Sequence, residues 1–424
     1  KPMKQLIYPL IIFLGLHLPI LGSSILIPMD TEQTDHLKAY GYIYQVLSDG
    51  NSKANWLINY RGGSFLIDQS TVHQQNLVAK GIRFVVISEA EVSLLKKQIE
   101  SQNSNMEWAE LSKVAKIALY SPQSASPWDD AVSLALTYAG IPFTTIYDDE
   151  ILGGELKKYD WVHLHHEDFT GQMGKMYTQR EQLWYKKQIR EDEEMAKKHG
   201  FSKISQLKSA VAQQLKLYIE AGGYLFAMCN ATDTFDIALA AQQIDIIDSF
   251  YDYDPVQENA NQLLNFNQTL AFTNFTLFPN PRINEFSTID SSPNYQPRTV
   301  LEENDFFELN EFSAKSDLIP SMLVQNHESV IHGYMGQTTG FDVAKIKSSI
   351  TILAENEPLH EAKYLYGTFG KGFFSFLGGH DPEDYQHFVN EEHTDLLLHK
   401  NSPGYRLILN NVLFPSAKKK KQKT

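Results

Sequence analysis

Residues 204–241 leave a folding chain little choice. A helical pattern over 204–221 stops at Gly222-Gly223. Tyr224-Leu225-Phe226-Ala227-Met228 then forms an uninterrupted apolar run, and a second helical pattern covers 232–241 after Cys229. A five-residue strand without polar positions is buried on both faces, and flanking helices are what cover such faces. The expected fold class is therefore α/β, a parallel sheet flanked by helices, and the rest of the chain can be read around this segment.

Residues 25–110 are expected to form an N-terminal α/β unit. It starts with a strand over 24–30 and a helix over 35–47, with Leu37, Tyr40, Tyr44 and Leu47 at helical spacing and Asp49-Gly50 as the stop. A strand over 55–60, a turn at Arg61-Gly62-Gly63-Ser64, a helix over 72–80 ending at Gly81 and a strand over 82–88 complete it. This alternation predicts a parallel, helix-covered sheet here too. The polar stretch 101–106 marks a boundary.

A core over 116–249 follows, with strands at 116–120, 143–147 and 160–166 and a helix over 128–139. The charged segment 179–198 is expected to be a solvated helix or a lid. Between 250 and 355 Asn, Asp, Pro and aromatic residues become dense, which predicts an inserted irregular or β-rich subdomain. The core resumes over 360–415 with strands at 362–369 and 373–377 around Gly370-Lys371-Gly372, then a closing helix over 403–413.

The two ends read differently from the body. Lys1-Pro2-Met3-Lys4, an apolar run over 6–21 and Gly22-Ser23-Ser24 have the three parts of a signal peptide, expected to span 1–24. The expected location is periplasmic or secreted, from a bacterium. The basic tail, 416–424, carries five lysines between Lys418 and Lys423, a cationic arm suited to an acidic partner or a membrane surface, or simply solvated. Removing Lys1, Lys4 and those five from the 37 basic residues leaves 30 against 51 acidic ones. A body this acidic argues against nucleic acid as a partner. Oligomeric state is not legible.

Cys229 is the one cysteine, which excludes an internal disulfide and a Cys-based zinc module. It stands where a strand turns sharply into a helix. There the turn lifts a side chain out of the sheet and the helix N-terminus favours a thiolate and offers N–H donors. A lone cysteine is also often a small buried apolar group, and both readings stand. A second strand end, Gly378-Gly379-His380-Asp381-Pro382-Glu383, brings a histidine and acids. A third, His163-Leu164-His165-His166-Glu167-Asp168, has His163 and His165 on one face by strand alternation and His166 on the other. His163 and His165 suit a divalent metal, with His380 and Asp381 available to complete the shell. Against that stand a core role for His163 and a turn-capping role for Glu167 and Asp168. No cofactor is required by any motif. His165, His166, Glu167, Asp168 and Asp381 are candidate binding residues for a small-molecule or glycan-derived ligand, because open α/β sheets bind ligands at strand C-terminal ends. Asp30 and Arg61 are further rim positions, and Gly336-Gln337-Thr338-Thr339-Gly340 reads as a structural turn.

With those residues in place, 116–241 and 360–415 resemble the class I glutamine amidotransferase-like, flavodoxin-like fold and its trehalose-utilisation relatives. The resemblance implies Cys229 as nucleophile, His380 as base and Glu383 as its orienting acid. The elbow here is flanked by Ala227 and Ala231 instead of glycines, and His380-Asp381-Pro382-Glu383 is one residue longer than the family's His-Pro-Glu. Over nearly the full chain, residues 24–30, 59–65, 163–172, 227–241 and 378–386 with the Lys-rich tail resemble an exported Bacteroidota-type family labelled asparagine synthetase B. Synthetase chemistry is not carried by these residues, which have neither an N-terminal catalytic cysteine nor a Ser-Gly-Gly-x-Asp-Ser loop. Three expectations follow: a Cys-His hydrolase of an amide, ester or glycan-derived ligand; a non-catalytic envelope binding or assembly protein on the same fold; or a metal-dependent site on 163–168.

Overall fold

The computed structural model describes residues 23–122, 130–291, 305–317, 320–384 and 392–418. The expected signal peptide falls almost wholly outside the described residues, as do Trp128 and the tail beyond Lys418. Among the described residues no helix is long and apolar enough to cross a membrane.

The first sheet is built from β1 (Ser24–Ile27), β2 (Ala54–Ile58), β3 (Ser64–Asp68), β4 (Val85–Ile87) and β5 (Glu107–Leu111), in the order β4-β1-β3-β2-β5. Every neighbouring pair is antiparallel, which corrects the expectation of a parallel sheet in this unit. The cause is the Gly62-Gly63 turn. Both glycines have positive φ, and a Cβ on Gly62 would lie 2.3 Å from the Met29 carbonyl oxygen. That turn folds Phe65-Leu66-Ile67 straight back on β2 as a hairpin strand, with no crossover helix. Strand alternation then sorts the side chains. Ile25, Ile27, Trp56, Phe65 and Ile67 face α1 (His36–Ser48), whereas Leu26, Leu57 and Leu66 pack with Leu95 and Ile99 of α3 (Glu89–Glu100). The intervening α2 (Thr71–Lys80) buries only Leu77.

The second sheet contains β6 (Ile117–Tyr120), β7 (Thr144–Ile146), β8 (Trp161–Leu164), β9 (Tyr224–Met228), β10 (Phe306–Leu309), β11 (Val330–His332), β12 (Phe341–Asp342), β13 (Thr351–Asn356), β14 (Glu361–Phe369) and β15 (Gly372–Leu377). Its order is β11-β10-β13-β14-β15-β9-β8-β6-β7, with β12 on β14. It is a mixed sheet. β7, β6, β8, β9 and β15 are parallel, and the strands beyond β15 are antiparallel. In chain order the parallel strands run 2-1-3-4-5, one of the two common doubly wound orders, whose ligand crevice opens between strands 1 and 3 at their C-terminal ends. Here those strands are β6 and β8.

Helices α4 (Ala131–Ala139), α5 (Asp148–Leu152), α6 (Leu183–Lys198), α7 (Ile204–Ala221) and α8 (Asn230–Ala240) follow the first parallel strands. Alternation on β9 divides the core. Tyr224, Phe226 and Met228 join α1, α4 and the closing helix, and Leu225 and Ala227 join α7 and α8. The region expected to be inserted is largely irregular, with one-turn helices α9 (Ser249–Asp252), α10 (Ala260–Leu263) and α11 (Pro320–Leu323) beside β10 to β12.

The closing helix, α12 (Pro403–Leu413), carries a polar row through the core. Asn411 accepts from Ser375 Oγ at 2.6 Å and donates to Tyr364 at 2.7 Å; Asn410 donates to the Leu323 and Gln325 carbonyls. Arg406 is fully buried, donating to the carbonyls of Met29 (2.8 Å) and Gly62 (2.7 Å) and to His327 Nδ1 (3.0 Å). After α12 the chain seals the outer edge of β5 through a Leu111–Ala417 bridge, and Lys418, first lysine of the tail, pairs with Glu110 at 2.7 Å.

Arg406 makes the junction acid-sensitive. The guanidinium can only donate, so His327 Nδ1 must be unprotonated. Burial, with the nearby Arg406 charge, lowers the His327 pKa to about 4, and the stacked His36 ring is lowered to about 2 by the same causes. Both folded values lie below the unfolded 6.5, so the unfolded chain binds more protons and stability falls as pH drops through 6.5. The His327 contribution to that fall is complete by about pH 4. Urea denaturation across this window is expected to show the loss, and His327→Gln to flatten it by about one proton's slope, ~1.4 kcal/mol per pH unit.

Candidate functional site

Three chain segments end at the crevice between β6 and β8. The first brings Asp130, the N-cap of α4, whose Oδ1 accepts from the backbone N–H groups of Val132 (2.8 Å) and Ser133 (3.1 Å). The same oxygen lies 3.2 Å from His165 Nδ1 and 3.8 Å from His163 Nε2. Burial opposes the Asp130 charge, but the hydrogen bond and charge of His165 outweigh it and hold the carboxyl below its ordinary range.

The second segment is the end of β8. His163 lies on the α4 side of the strand with Trp161, fully buried, and its Nδ1 donates to the Phe226 carbonyl at 3.0 Å. Burial lowers its pKa to about 3, leaving a neutral ring. His163 and His165 share a face as alternation requires, with ring centroids 5.4 Å apart. His166 departs from the expectation that it points away. β8 stops at Leu164 and the chain bends at His166, so the pleat does not carry on to that residue, and the bend brings the His166 ring 5.1 Å from His165 and 5.3 Å from His380. His165 is buried. Burial disfavours its charged form, but Asp130, Asp381 and Glu167 outweigh this and raise its pKa.

The third segment leaves β15 through Gly378-Gly379. A Cβ on Gly379 (φ +94°) would sit 1.7 Å from the Tyr334 carbonyl oxygen, so only glycine lets the chain pass and present His380. The His380 ring centroid is 4.2 Å from that of His165, and its Nε2 is 3.3 Å from His166 Nδ1. His380 Nδ1 is 2.7 Å from Asp381 Oδ2. Asp381, and not the expected Glu383, orients this ring; Glu383 reaches His399 Nδ1 at 3.4 Å, because Pro382 and the positive φ of Glu383 turn the chain outward.

The remaining candidates divide. Glu167 is buried beside the cluster and accepts from the His165 N–H at 3.1 Å; burial raises its carboxyl to about 7. Asp168 accepts from Thr170 and Gly174 and so caps its own turn. Cys229 does occupy the strand–helix turn between β9 and α8, with φ +50°, a left-handed value that costs a non-glycine residue about 1–3 kcal/mol. Its thiol is buried and meets backbone N–H groups of Thr338, Asn230 and Gln337; burial pushes it up to about 11 against their pull. Gly336 covers it, since a Cβ there would lie 3.1 Å from Sγ and 3.0 Å from the backbone nitrogen of His380. The 336–340 turn is thus part of the site. Asp130, read from the sequence only as part of a helix start, is the other addition; an acidic N-cap one loop after the strand beside the crevice was its signal.

Among the described residues, two groups of three side chains each place one candidate ligand atom per residue within 4.8 Å of the others: His165, His166 and His380, and Asp130, His163 and His165.

No protein-family model matches the chain, and no curated protein matches it. Among solved structures it is similar to the cytoplasmic proteins STM3548 and STM1381 of Salmonella typhimurium, at 11% and 10% identity and TM-scores of 0.35 and 0.33. Each match covers 72% of this chain and 100% of the other. A β-galactosidase of Bacillus circulans sp. alkalophilus is similar at 11% identity and a TM-score of 0.27, over 63% of this chain and 29% of that one. Similarities at this level carry no conclusion about activity.

Proposed function

We propose that the protein is a hydrolase whose active centre is the histidine cluster at the crevice, acting on an amide, ester or glycan-derived ligand. The observation that carries this is the pairing of imidazoles with carboxylates at a strand-end crevice: His165 with Asp130 at 3.2 Å and His380 with Asp381 at 2.7 Å. A carboxylate on one ring nitrogen fixes the tautomer and orientation of an imidazole and aims the other nitrogen at the reaction. Such a cluster activates water either as a general base or as the ligand set of a cation. Water adds to the electrophilic carbon, its proton passes to the cluster, and the leaving amine, alcohol or sugar hydroxyl takes a proton back.

The finer fold assignment belongs to the same proposal. A class I glutamine amidotransferase-like core is supported by the 2-1-3-4-5 order, by Cys229 after β9 and by His380 after β15. A thiol mechanism is a second reading, favoured by the left-handed elbow at Cys229 and the N–H groups around its sulfur.

The two are separated by assaying purified full-length chain on amide, ester and glycoside chromogenic substrates. On this proposal His380→Gln lowers kcat/KM at least ~100-fold while Cys229→Ala keeps it within a few-fold. Loss of activity in Cys229→Ala as well as in His380→Gln moves the chemistry to the thiol, with His380 as its base. No hydrolysis of any substrate class by the wild-type chain sinks the enzyme reading and leaves a binding protein. Thiol labelling gives an independent check. Native Cys229 is expected to react at the rate of local opening, far slower than in urea, with no titration below about pH 9.

A further inference from the structure

We infer that His165, His166 and His380 together hold one divalent cation of the zinc class, with a fourth position open towards the crevice. This deepens the active-centre proposal and rests on it.

Three features favour this group. Tetrahedral zinc at Zn–N distances of about 2.0–2.1 Å places neighbouring ligand nitrogens about 3.3–3.4 Å apart. His166 Nδ1 and His380 Nε2 are 3.3 Å apart. Second, His165 Nε2 is buried and has no hydrogen-bond partner, a costly state for an imidazole nitrogen unless something else satisfies it. Its other nitrogen faces Asp130, so the unpartnered atom is the one left for a ligand bond. Third, His165 and His380 each have a carboxylate on Nδ1, the arrangement by which metal-binding imidazoles are oriented and made more basic. No thiolate is involved, and a three-imidazole set with an open position suits a cation that polarises bound water.

The overlapping group of Asp130, His163 and His165 is the competing location, and hydrogen bonds account for it without a cation. Asp130 Oδ1 already accepts from two N–H groups of α4 and faces His165, and His163 Nδ1 is committed to the Phe226 carbonyl. His163 is moreover fully buried, whereas His166 is partly exposed. The sequence pointed to His163 and His165 as the metal pair, with His380 and Asp381 to complete the shell; the proposed set keeps His165 and His380, puts His166 in place of His163 and leaves Asp381 as the acid on His380 Nδ1.

The test uses the full chain stripped with chelator and titrated with Zn2+ by calorimetry and with Co2+ by visible absorption. The expected result is one equivalent bound, with the intense visible bands of four-coordinate cobalt. His166→Gln and His380→Gln should each weaken binding more than 100-fold, Asp381→Asn about 10–100-fold, and His163→Gln by less than 5-fold. Circular dichroism checks that each variant is folded; should His380→Gln unfold, the partly exposed His166 and the Asp381→Asn variant carry the test. No binding by the wild-type chain overturns the inference, as does binding that survives His166→Gln or is abolished by His163→Gln. The two proposals fail separately. Hydrolysis that depends on His380 without bound metal leaves the hydrolase standing, and stoichiometric metal without hydrolysis leaves the site standing.

Discussion

Lys208→Met is expected to destabilise the protein by about 3–5 kcal/mol, the range for removing one member of a buried ion pair. Lys208, on α7, is almost completely buried. Its Nζ is 2.8 Å from Asp148 Oδ2, 2.8 Å from Tyr147 OH and 3.1 Å from Tyr120 OH, with Asp192 of α6 at 3.9 Å. Methionine keeps most of the volume, so the loss is not mainly a cavity. The cost comes from two carboxylates left in the interior without their cation. Burial already raises the Asp192 pKa against the pull of Lys208, and removing that pull raises it further. A folded pKa above the unfolded value of about 3.9 means that the folded variant binds more protons than its unfolded chain. The variant therefore recovers stability relative to wild type as pH falls. Urea midpoints at pH 8 and pH 5 check this: the gap between the two proteins should narrow at pH 5, and an unchanged gap would mean that packing, not charge, sets the loss.

Gly41→Ala is expected to cost about 3 kcal/mol despite lying inside a helix. By propensity alone the change should stabilise α1 by up to about 1 kcal/mol. The added Cβ, however, would sit 1.8 Å from the Ala139 carbonyl oxygen, a backbone atom of α4 that cannot rotate away. Relief requires α1 and α4 to separate, and overpacking of this kind typically costs 1–3 kcal/mol or somewhat more. Gly81→Ala is the control. It has open space around its Cβ and φ +71°, so it should lose only about 1 kcal/mol, from strain alone. Thermal unfolding of the two variants side by side separates the collision from the backbone effect, and a stabilised Gly41→Ala would show that the two helices slide apart freely.

Much of the doubly wound half was legible because local rules agreed there. Ile204–Ala221, Tyr224–Met228 and Pro403–Leu413 have the bounds expected, since apolar periodicity and Gly or Pro punctuation coincide at their ends. The first unit was not, because strand direction is set by connection geometry that periodicity does not encode. Of Ser64–Asp68 only Ser64 was assigned, as the end of a turn, and Glu89–Glu100 was passed over although Ser88 and Glu91 form a capping box at its start. At the site, Cys229, His163, His165 and His380 were each found from their positions at strand ends. Their grouping was legible in part: His380 and Asp381 were expected beside His163 and His165, but Asp130 was not, nor that Asp381 rather than Glu383 sits on His380. The orienting acid Asp130 and the inward turn of His166 depend on where β8 stops and on the Gly379 passage beside Tyr334, contacts between separate segments that local patterning does not encode.

The polar row on α12 has a consequence for the order in which the molecule is assembled. Arg406 binds carbonyls of residues 29 and 62, Asn410 those of 323 and 325, and Asn411 reaches β14 and β15. Until residue 413 has left the ribosome, α1 and α4 have no third helix to close against. The α4 face of the parallel sheet stays open until then. Folding of this face therefore waits for α12, and a nascent chain stalled anywhere before residue 403 should present an apolar surface to chaperones.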